Sequence, residues 1–226
     1  MPVSTALFSS RMTQLRPSTI REILKVTVRP DIISFAGGLP APELFPIEAV
    51  QRAADSVLQS SGRAALQYGE SEGFMPLREW IAAEMKTRGV DAPAADVLIT
   101  SGSQQVLDLA GKLFLNRGDV VLTENPTYLA AVQAFQVQEA RFVAVPTDAQ
   151  GLIPEALPEL IREHQPKFLY TIPNFQNPTG TTLAPDRRAK LAKIAAEHGL
   201  PVLEDDPYGK LRYRGADVPP VKFQRI

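Results

Sequence analysis

Polar side chains follow two apolar segments in the last third of the chain. Phe168-Leu-Tyr-Thr-Ile172 precedes Asn177, and Val202-Leu-Glu204 precedes Asp205 and Tyr208. Each segment has the composition of a buried strand, and one helix-sized connection separates the two. Ligands of open α/β sheets bind beyond the carboxyl ends of the strands. We therefore expect Asn177, Asp205 and Tyr208 to converge on one small molecule.

Two earlier segments are predicted to place polar groups at the same edge of the sheet. Thr100-Ser-Gly-Ser-Gln-Gln105 joins a predicted strand to a predicted helix, so its backbone N–H groups can bind a phosphate. An ordinary serine N-cap is the alternative. Tyr128 can stack on a flat ring or pack against the start of its own helix. Asn177 can likewise bind a ligand or organise the turn at Pro178. Each signal is weak alone, and the prediction depends on their order and joint presence.

The chemistry of Asp205 narrows the choice of ligand. A carboxylate that follows a buried strand keeps its charge only beside a cation or hydrogen-bond donors. A protonated pyridine nitrogen is such a cation. Pyridoxal 5′-phosphate (PLP) combines this nitrogen with a phosphate, a flat ring and a phenolic oxygen. PLP therefore matches all of these groups together, and we predict it as the cofactor.

The pattern of elements predicts a sheet that can position these groups. Strands are predicted at residues 32–35, 97–100, 120–123, 141–145, 168–172 and 202–204, and helices at residues 18–25, 46–59, 76–86, 103–115, 127–135, 155–163 and 186–198. The alternation from residue 97 onward predicts an α/β fold, a mostly parallel sheet with helices on both faces. We place a boundary near residue 45, between an N-terminal arm of residues 1–45 and the α/β domain of residues 46–226.

Composition excludes several other classes of protein. The 226 residues contain no cysteine and carry a net charge of −1. Disulfide scaffolds, thiolate zinc sites and cysteine nucleophiles are therefore excluded, and neither nucleic acid nor a membrane is expected as a partner. The two histidines, His164 and His198, lie near the ends of predicted helices, where a solvated position or an interaction with the helix dipole is expected. We therefore expect neither a histidine-rich metal site nor a Ser-His-Asp triad. Without a signal peptide or an apolar span, we expect a cytoplasmic protein.

The same segments resemble the class I and II aminotransferases of fold type I, and most closely the branch of α-aminoadipate and kynurenine aminotransferases. The matching motifs are Ser18-Thr-Ile-Arg-Glu22, Ser34-Phe-Ala-Gly-Gly-Leu-Pro40, Leu66-Gln-Tyr-Gly69, Gly102-Ser-Gln-Gln105, Asn125-Pro-Thr-Tyr128, Asn177-Pro-Thr-Gly180 and Asp205-Asp-Pro-Tyr208. Asp205 lies 28 residues after Asn177, which is the family's spacing. That spacing selects Asp205 over its acidic neighbours Glu204 and Asp206.

The resemblance implies a role for each residue around the cofactor. The cofactor-binding residues would be Ser103 and Gln104 for the phosphate through their backbone amides, Tyr128 for stacking on the ring, Asn177 and Tyr208 for the ring oxygen, and Asp205 for the pyridine nitrogen. Tyr68 would reach the phosphate of the cofactor in a neighbouring subunit, which implies a homodimer. The Asn125–Pro126 and Asn177–Pro178 peptide bonds are expected to be cis.

Two further residues are implied to contact the substrate. Gly38 would lie against it. Arg21 would bind the side-chain carboxylate of an acidic substrate through its guanidinium fork, and a solvated helix position is the alternative. The implied reaction is amino-group transfer between a 2-aminoadipate-, glutamate- or aromatic-type amino acid and a 2-oxo acid.

The resemblance stops before the family's catalytic lysine. In the family, the Schiff-base lysine lies in a Ser-Phe-Ser-Lys-like segment after two further strands, and no such segment precedes Ile226. Lys210 and Lys222 lie in other contexts. We therefore expect a truncated, N-terminal half of an aminotransferase that is inactive alone. The resemblance implies that residues 1–45 include a segment of the small domain and that residues 46–226 are part of the PLP-binding large domain. The alternatives are a non-catalytic, aminotransferase-like ligand-binding domain of a transcriptional regulator and a degenerate fragment.

Overall fold

The computed structural model describes residues 7–14, 33 and 38–221. The chain divides into two compact units, one of Met1–Leu15 and Glu72–Ile226 and the other of Arg16–Ser71. The predicted helix at residues 18–25 lies outside the described residues, as does the predicted strand at residues 32–35 apart from Ile33. Within the described ranges, no helix is long and apolar enough to span a membrane.

Helix α1 (Ile47–Ala65) belongs to the unit of Arg16–Ser71. The sequence predicted a helix over residues 46–59, and the observed helix continues for six more residues, with a kink at Ser61 where φ is −143°. The spacing of its apolar residues predicted the helix correctly. None of its residues is buried, however, and Val50 and Leu58 are 61% and 52% exposed.

The other unit contains the predicted alternation of helices and strands. Its helices are α2 (Met75–Thr87), α3 (Ser103–Phe114), α4 (Leu129–Gln136), α5 (Leu157–His164) and α6 (Pro185–Glu197), and its strands are β1 (Val120–Thr123), β2 (Arg141–Ala144), β3 (Thr147–Asp148), β4 (Gly151–Leu152), β5 (Phe168–Thr171) and β6 (Val202–Glu204). Four strands form a parallel sheet in the order β2-β1-β5-β6. The antiparallel β3–β4 hairpin was not predicted, because two-residue strands are too short to show a periodicity.

Helices cover both faces of the parallel sheet, as predicted. Side chains alternate between the faces of a strand. Val121 of β1 therefore packs into one buried cluster with residues of α3 and α4, whereas Val120 and Leu122 pack into a second cluster with residues of α5 and α6. Burial on both faces explains why β1 and β5 are apolar along their whole length. The α/β fold class is confirmed.

The strand registers align the carboxyl ends of three strands. Thr123 of β1 pairs with Tyr170 of β5, and Thr171 pairs with Glu204 of β6. Helix α6 makes the connection from β5 to β6. It begins with Pro185, whose missing N–H costs nothing in the first turn of a helix. The loops after β1, β5 and β6 therefore begin side by side at one edge of the sheet.

The prediction of a strand at residues 97–100 is wrong. Among the described residues no strand lies beside this segment, so its backbone groups have no ladder to join. Instead, the N–H of Ile99 donates to the backbone oxygen of Glu72 at 2.9 Å. Gly73 permits this close approach, because a Cβ at its φ of +105° would clash with the side chain of Ile99.

Candidate functional site

Two buried side chains, Glu124 and Gln176, join the loops that follow β1 and β5. Each directly precedes an Asn–Pro peptide bond, and both of these bonds are cis, as expected. Nε2 of Gln176 donates to the backbone oxygen of Pro126 at 2.8 Å. Oε1 of Gln176 accepts from the backbone N–H and the hydroxyl of Thr179 at 2.9 and 2.7 Å. The two loops therefore form one hydrogen-bonded unit.

Glu124 anchors this unit to the sheet. Its carboxyl group accepts from the hydroxyl of Thr171 and the backbone N–H of Ile172, both at 3.1 Å. Burial raises the pKa of Glu124 to about 7, against the effect of these hydrogen bonds. The sequence analysis missed Glu124, although it follows β1 as Asp205 follows β6. A carboxylate that follows a buried strand needs a cation or hydrogen-bond donors, and this argument, made for Asp205, applies equally to Glu124.

Asp205 is held at two points and retains one oxygen for other contacts. Its backbone N–H donates to the oxygen of Thr171 at 3.0 Å, and its Oδ2 accepts from the hydroxyl of Tyr170 at 2.8 Å. Burial raises the pKa of Asp205, and the hydrogen bond from Tyr170 opposes that rise. Within the described part of the chain, Oδ1 makes no recorded hydrogen bond and no cation forms an ion pair with Asp205. Asp205 can therefore receive a cationic ligand.

The adjacent carboxylate, Asp206, is fully engaged within the protein. It accepts from Arg88 at 2.5 Å, from Nδ2 of Asn174 at 2.9 Å and from the backbone N–H of Gly209 at 3.0 Å. Burial would raise the pKa of Asp206, but the hydrogen bonds from Arg88, Asn174 and Gly209, together with the charge of Arg88, hold that pKa below its ordinary value. Asp206 has its charge neutralised by the protein itself.

Three further predicted site residues lie near Asp205. Nδ2 of Asn177 lies 3.4 Å from the hydroxyl of Tyr208. Burial raises the pKa of Tyr128, and the charges of Asp205 and Tyr208 add to that rise, which places both groups within electrostatic range of Tyr128. The structure thus brings together an amide, two phenols and a carboxylate at the ends of β1, β5 and β6.

Ser103 and Gln104 are the first two residues of α3 and are exposed. The alternative, an ordinary serine N-cap, is wrong, because Gly102, with φ of +86°, occupies the N-cap position and no side chain caps the helix. The backbone N–H groups of Ser103 and Gln104 make no recorded hydrogen bond with a described residue. The start of α3 thus presents donors that can bind an anion.

The other predicted site residues lie elsewhere in the chain. Tyr68 and Gly38 belong to the unit of Arg16–Ser71. The side chain of Tyr68 is fully exposed, and Gly38 has a φ of +58°. Arg21 lies outside the described residues.

Comparison with known proteins identifies the family of this chain. The family model "Aminotransferase class I and II" matches residues 31–224. The chain belongs to the class I and II aminotransferases. It is 46% identical over 222 residues to aromatic-amino-acid aminotransferase 1 of Thermococcus litoralis, a match that covers 95% of this chain and 53% of that protein. It is 47% identical over 212 residues to 2-aminoadipate transaminase of Thermus thermophilus, which covers 94% of this chain and 52% of that protein.

A solved aminotransferase shares the fold. The crystal structure of an α-aminoadipate aminotransferase from Thermus thermophilus, in complex with N-(5′-phosphopyridoxyl)-L-leucine, aligns with a TM-score of 0.84 at 45% identity. The alignment covers 95% of this chain and 52% of that one. The chain thus spans about half the length of the curated relatives and the solved structure it matches.

The residues present fit the cofactor that this aminotransferase family implies. A half-buried carboxylate with an unpartnered oxygen suits a protonated pyridine nitrogen. The phenol of Tyr208 and the amide of Asn177 suit a ring oxygen, and the start of α3 suits a phosphate. Within the described residues no group of three His, Cys, Asp or Glu side chains is arranged to hold a metal ion.

Sequence analysis missed the side chains that support these groups. Tyr170 had a usable signal, because a buried tyrosine in an apolar strand needs a partner for its hydroxyl. Arg188 had none: it is 4% exposed and donates to the backbone oxygens of Pro173, Leu183 and Pro219. Main-chain acceptors carry no residue-specific pattern that a sequence could reveal.

Proposed function

We propose that this chain supplies the PLP-binding part of an aminotransferase that transfers an amino group between an amino acid and a 2-oxo acid. The observation that carries the proposal is the contrast at the end of β6. Within the described residues, Asp206 forms an ion pair with Arg88, whereas Asp205 has no ion-pair partner and keeps one oxygen without a recorded hydrogen bond beside Tyr128 and Tyr170. A flat, cationic heterocycle is the ligand that such a site suits best.

Each residue has one task toward the cofactor in this proposal. Asp205 holds a proton at the pyridine nitrogen by pairing its charge with the resulting cation. Asn177 and Tyr208 bind the ring oxygen. The amides of Ser103 and Gln104 bind the phosphate, and Tyr128 stacks on the ring. When bound, PLP supplies an electron-withdrawing ring that stabilises negative charge at the α-carbon of the amino acid.

We propose amino acids with acidic or aromatic side chains as the substrates. The names of the two relatives at 46% and 47% identity point to both classes, one aromatic and one 2-aminoadipate. Arg21 would bind the distal carboxylate of an acidic substrate, and Gly38 would leave room for the substrate beside it. The other substrate is a 2-oxo acid such as 2-oxoglutarate.

We also propose that the complete protein is a homodimer. Tyr68 supports this, because its side chain is fully exposed and a tyrosine must be exposed in this unit if it is to reach a cofactor held by another copy. Sedimentation equilibrium of the complete protein, with and without cofactor, tests the proposal. A monomer under both conditions would contradict it.

The first experiment tests cofactor binding by the chain as it stands. Pyridoxamine 5′-phosphate is the probe, because it has the phosphate, ring oxygen and pyridine nitrogen of PLP but no aldehyde that could react with surface lysines. We expect saturable binding that weakens about 10- to 100-fold in Asp205→Asn, the loss expected for a hydrogen bond to a charged group. Absence of binding to the wild-type chain, or equal binding by the variant, would contradict the proposal.

The second experiment tests amino-group transfer. This chain replaces the matching segment of the Thermus thermophilus 2-aminoadipate transaminase, with which it shares 47% identity. We expect the hybrid to transfer amino groups from 2-aminoadipate, glutamate or an aromatic amino acid to 2-oxoglutarate. Asp205→Asn in the hybrid should abolish transfer. A folded hybrid that binds PLP and transfers from none of the three donors would contradict the proposed reaction.

A further inference from the structure

Tyr170 is a fully buried residue whose hydroxyl reaches the candidate site. Its ring lies in the cluster between the sheet and helices α3 and α4. There it packs edge-on against Phe135, with ring centroids 6.0 Å apart and an interplanar angle of 74°. Packing of this kind fixes a ring in one position. The hydroxyl therefore emerges at a fixed point at the carboxyl end of β5.

The hydroxyl of Tyr170 makes one recorded hydrogen bond with the described residues, to Oδ2 of Asp205 at 2.8 Å. Burial, together with the charge of Asp205, raises the pKa of Tyr170 well above the ordinary tyrosine value. The raised pKa favours the protonated phenol, which is the form that donates to Asp205. A donor of this kind stabilises the ionised form of its carboxylate partner.

Three influences act on the charge of Asp205. Burial and the neighbouring charge of Asp206 both favour the protonated, neutral form, and the hydrogen bond from Tyr170 favours the ionised form. Tyr128 lies within electrostatic range of the carboxylate, and after burial the charges of Asp205 and Tyr208 raise the pKa of Tyr128. Within the described residues, Tyr170 is thus the side chain that offsets the effect of burial on Asp205.

We propose that Tyr170 is a positioning residue for the cofactor: it orients the carboxylate of Asp205, keeps it ionised and leaves its second oxygen for the pyridine nitrogen. The inference rests on the proposed function, because Asp205 has no pyridine nitrogen to hold without PLP. Tyr170 acts through Asp205 and need not touch the cofactor itself.

Tyr170→Phe tests the inference, because it removes the hydroxyl and keeps the ring that packs on Phe135. In the cofactor-free protein, 13C NMR of labelled aspartate, with Asp205 assigned from Asp205→Asn, should show the Asp205 titration moving to higher pH by about one unit. Pyridoxamine 5′-phosphate should bind about tenfold more weakly. As the pH is lowered, the variant should also lose its affinity for pyridoxamine 5′-phosphate at a higher pH than wild type does. Urea unfolding checks that the variant is folded.

Two comparisons separate a positioning role from a structural one. Tyr213→Phe is the matched control, because Tyr213 is 94% exposed, and it should change neither the titration nor the affinity. Tyr170→Phe combined with Asp205→Asn should bind no more weakly than Asp205→Asn alone. An unchanged Asp205 titration, or an additive loss in the double variant, would overturn the inference. Absence of binding to wild type would instead overturn the proposed function.

Discussion

The carboxyl groups at the end of β6 and in the turn after it have different neighbours on the two sides of the chain. On the arginine side, defined by Glu204 and Asp206, the carboxylates lie among Arg88, Arg188 and Arg212. On the tyrosine side, defined by Asp205, the neighbours are Tyr128, Tyr170 and Tyr208. Consecutive side chains of an extended segment point to opposite sides, so one short segment serves both environments.

The comparison distinguishes Asp206, whose ion pair stabilises the fold, from Asp205, which is available to a ligand. Arg88 and Asp206 are 118 residues apart in the sequence and form an ion pair in which the side chains are 22% and 13% exposed. That pair ties the loop after α2 to the turn after β6. Asp205 has no such partner within the described residues. The arginine side therefore fixes the backbone on which the tyrosine side presents its carboxylate.

The largest effect is expected from removing an arginine on the arginine side. Arg188→Met removes the guanidinium that donates to the buried oxygens of Pro173 and Leu183 and to the oxygen of Pro219. We expect the free energy of unfolding to fall by about 3 kcal/mol or more, measured by urea unfolding. Arg162→Met is the control, because Arg162 is 79% exposed, and it should change that free energy by less than about 0.5 kcal/mol. Equal effects of the two changes would contradict this prediction.

A second prediction concerns pH. Burial raises the pKa of Glu204 and of Glu124, each to about 7 from 4.5. The folded state therefore binds these protons more tightly than the unfolded state. Their contribution to stability is present below pH 4.5 and is lost as the pH rises to about 7, by no more than about 3 kcal/mol for each group.

Two glutamine variants isolate this loss of stability. Glu204→Gln keeps an acceptor for the N–H of Val221, which donates to Oε2 of Glu204 at 2.9 Å. Unfolding measured between pH 4.5 and 7 should show a shallower fall in stability in this variant than in wild type. Adding Glu124→Gln should flatten the fall further. A fall as steep as that of wild type in the double variant would show that other groups cause the pH dependence.

The smallest changes in the free energy of unfolding are expected from substitutions of the adjacent carboxylates Asp205 and Asp206. Asp206→Asn weakens the contact with Arg88 and should lower the free energy of unfolding by about 1–3 kcal/mol. Asp205→Asn keeps the size of the side chain and removes a charge that burial disfavours, so it should change that free energy by less than about 0.5 kcal/mol. Urea unfolding at pH 7 measures both. If Asp205→Asn were the more destabilising change, the assignment of the two sides would be reversed.

The elements around the site were predictable from sequence, because their residues have a repeating pattern. The bounds of β1 and β6 were predicted as observed, since both are short apolar runs that end at a polar residue. The two cis Asn–Pro bonds were expected from the family resemblance and are confirmed. The meeting of Asn177, Tyr208, Asp205 and Tyr128 followed from the parallel sheet, whose strands end at one edge.

The supporting contacts were not predictable, because they join residues that are far apart in sequence. Oε2 of Glu124 accepts from a backbone N–H 48 residues away, and the arginine side depends on acceptors in separate loops. The wrong strand at residues 97–100 has the same cause: an apolar run indicates a strand, but a neighbouring strand decides whether the ladder forms. Local pattern predicts elements, and tertiary partners decide their pairing.

The protonation state of the bound cofactor tests the central claim most directly. Pyridoxamine 5′-phosphate labelled with 15N in the ring is bound to the wild-type chain and to Asp205→Asn, at a pH above the pKa of the free ring nitrogen. We predict the 15N chemical shift of a protonated pyridine in wild type and of a neutral pyridine in the variant. A neutral pyridine in the wild-type complex, or a protonated one in both complexes, would contradict the claim that Asp205 holds the ring nitrogen.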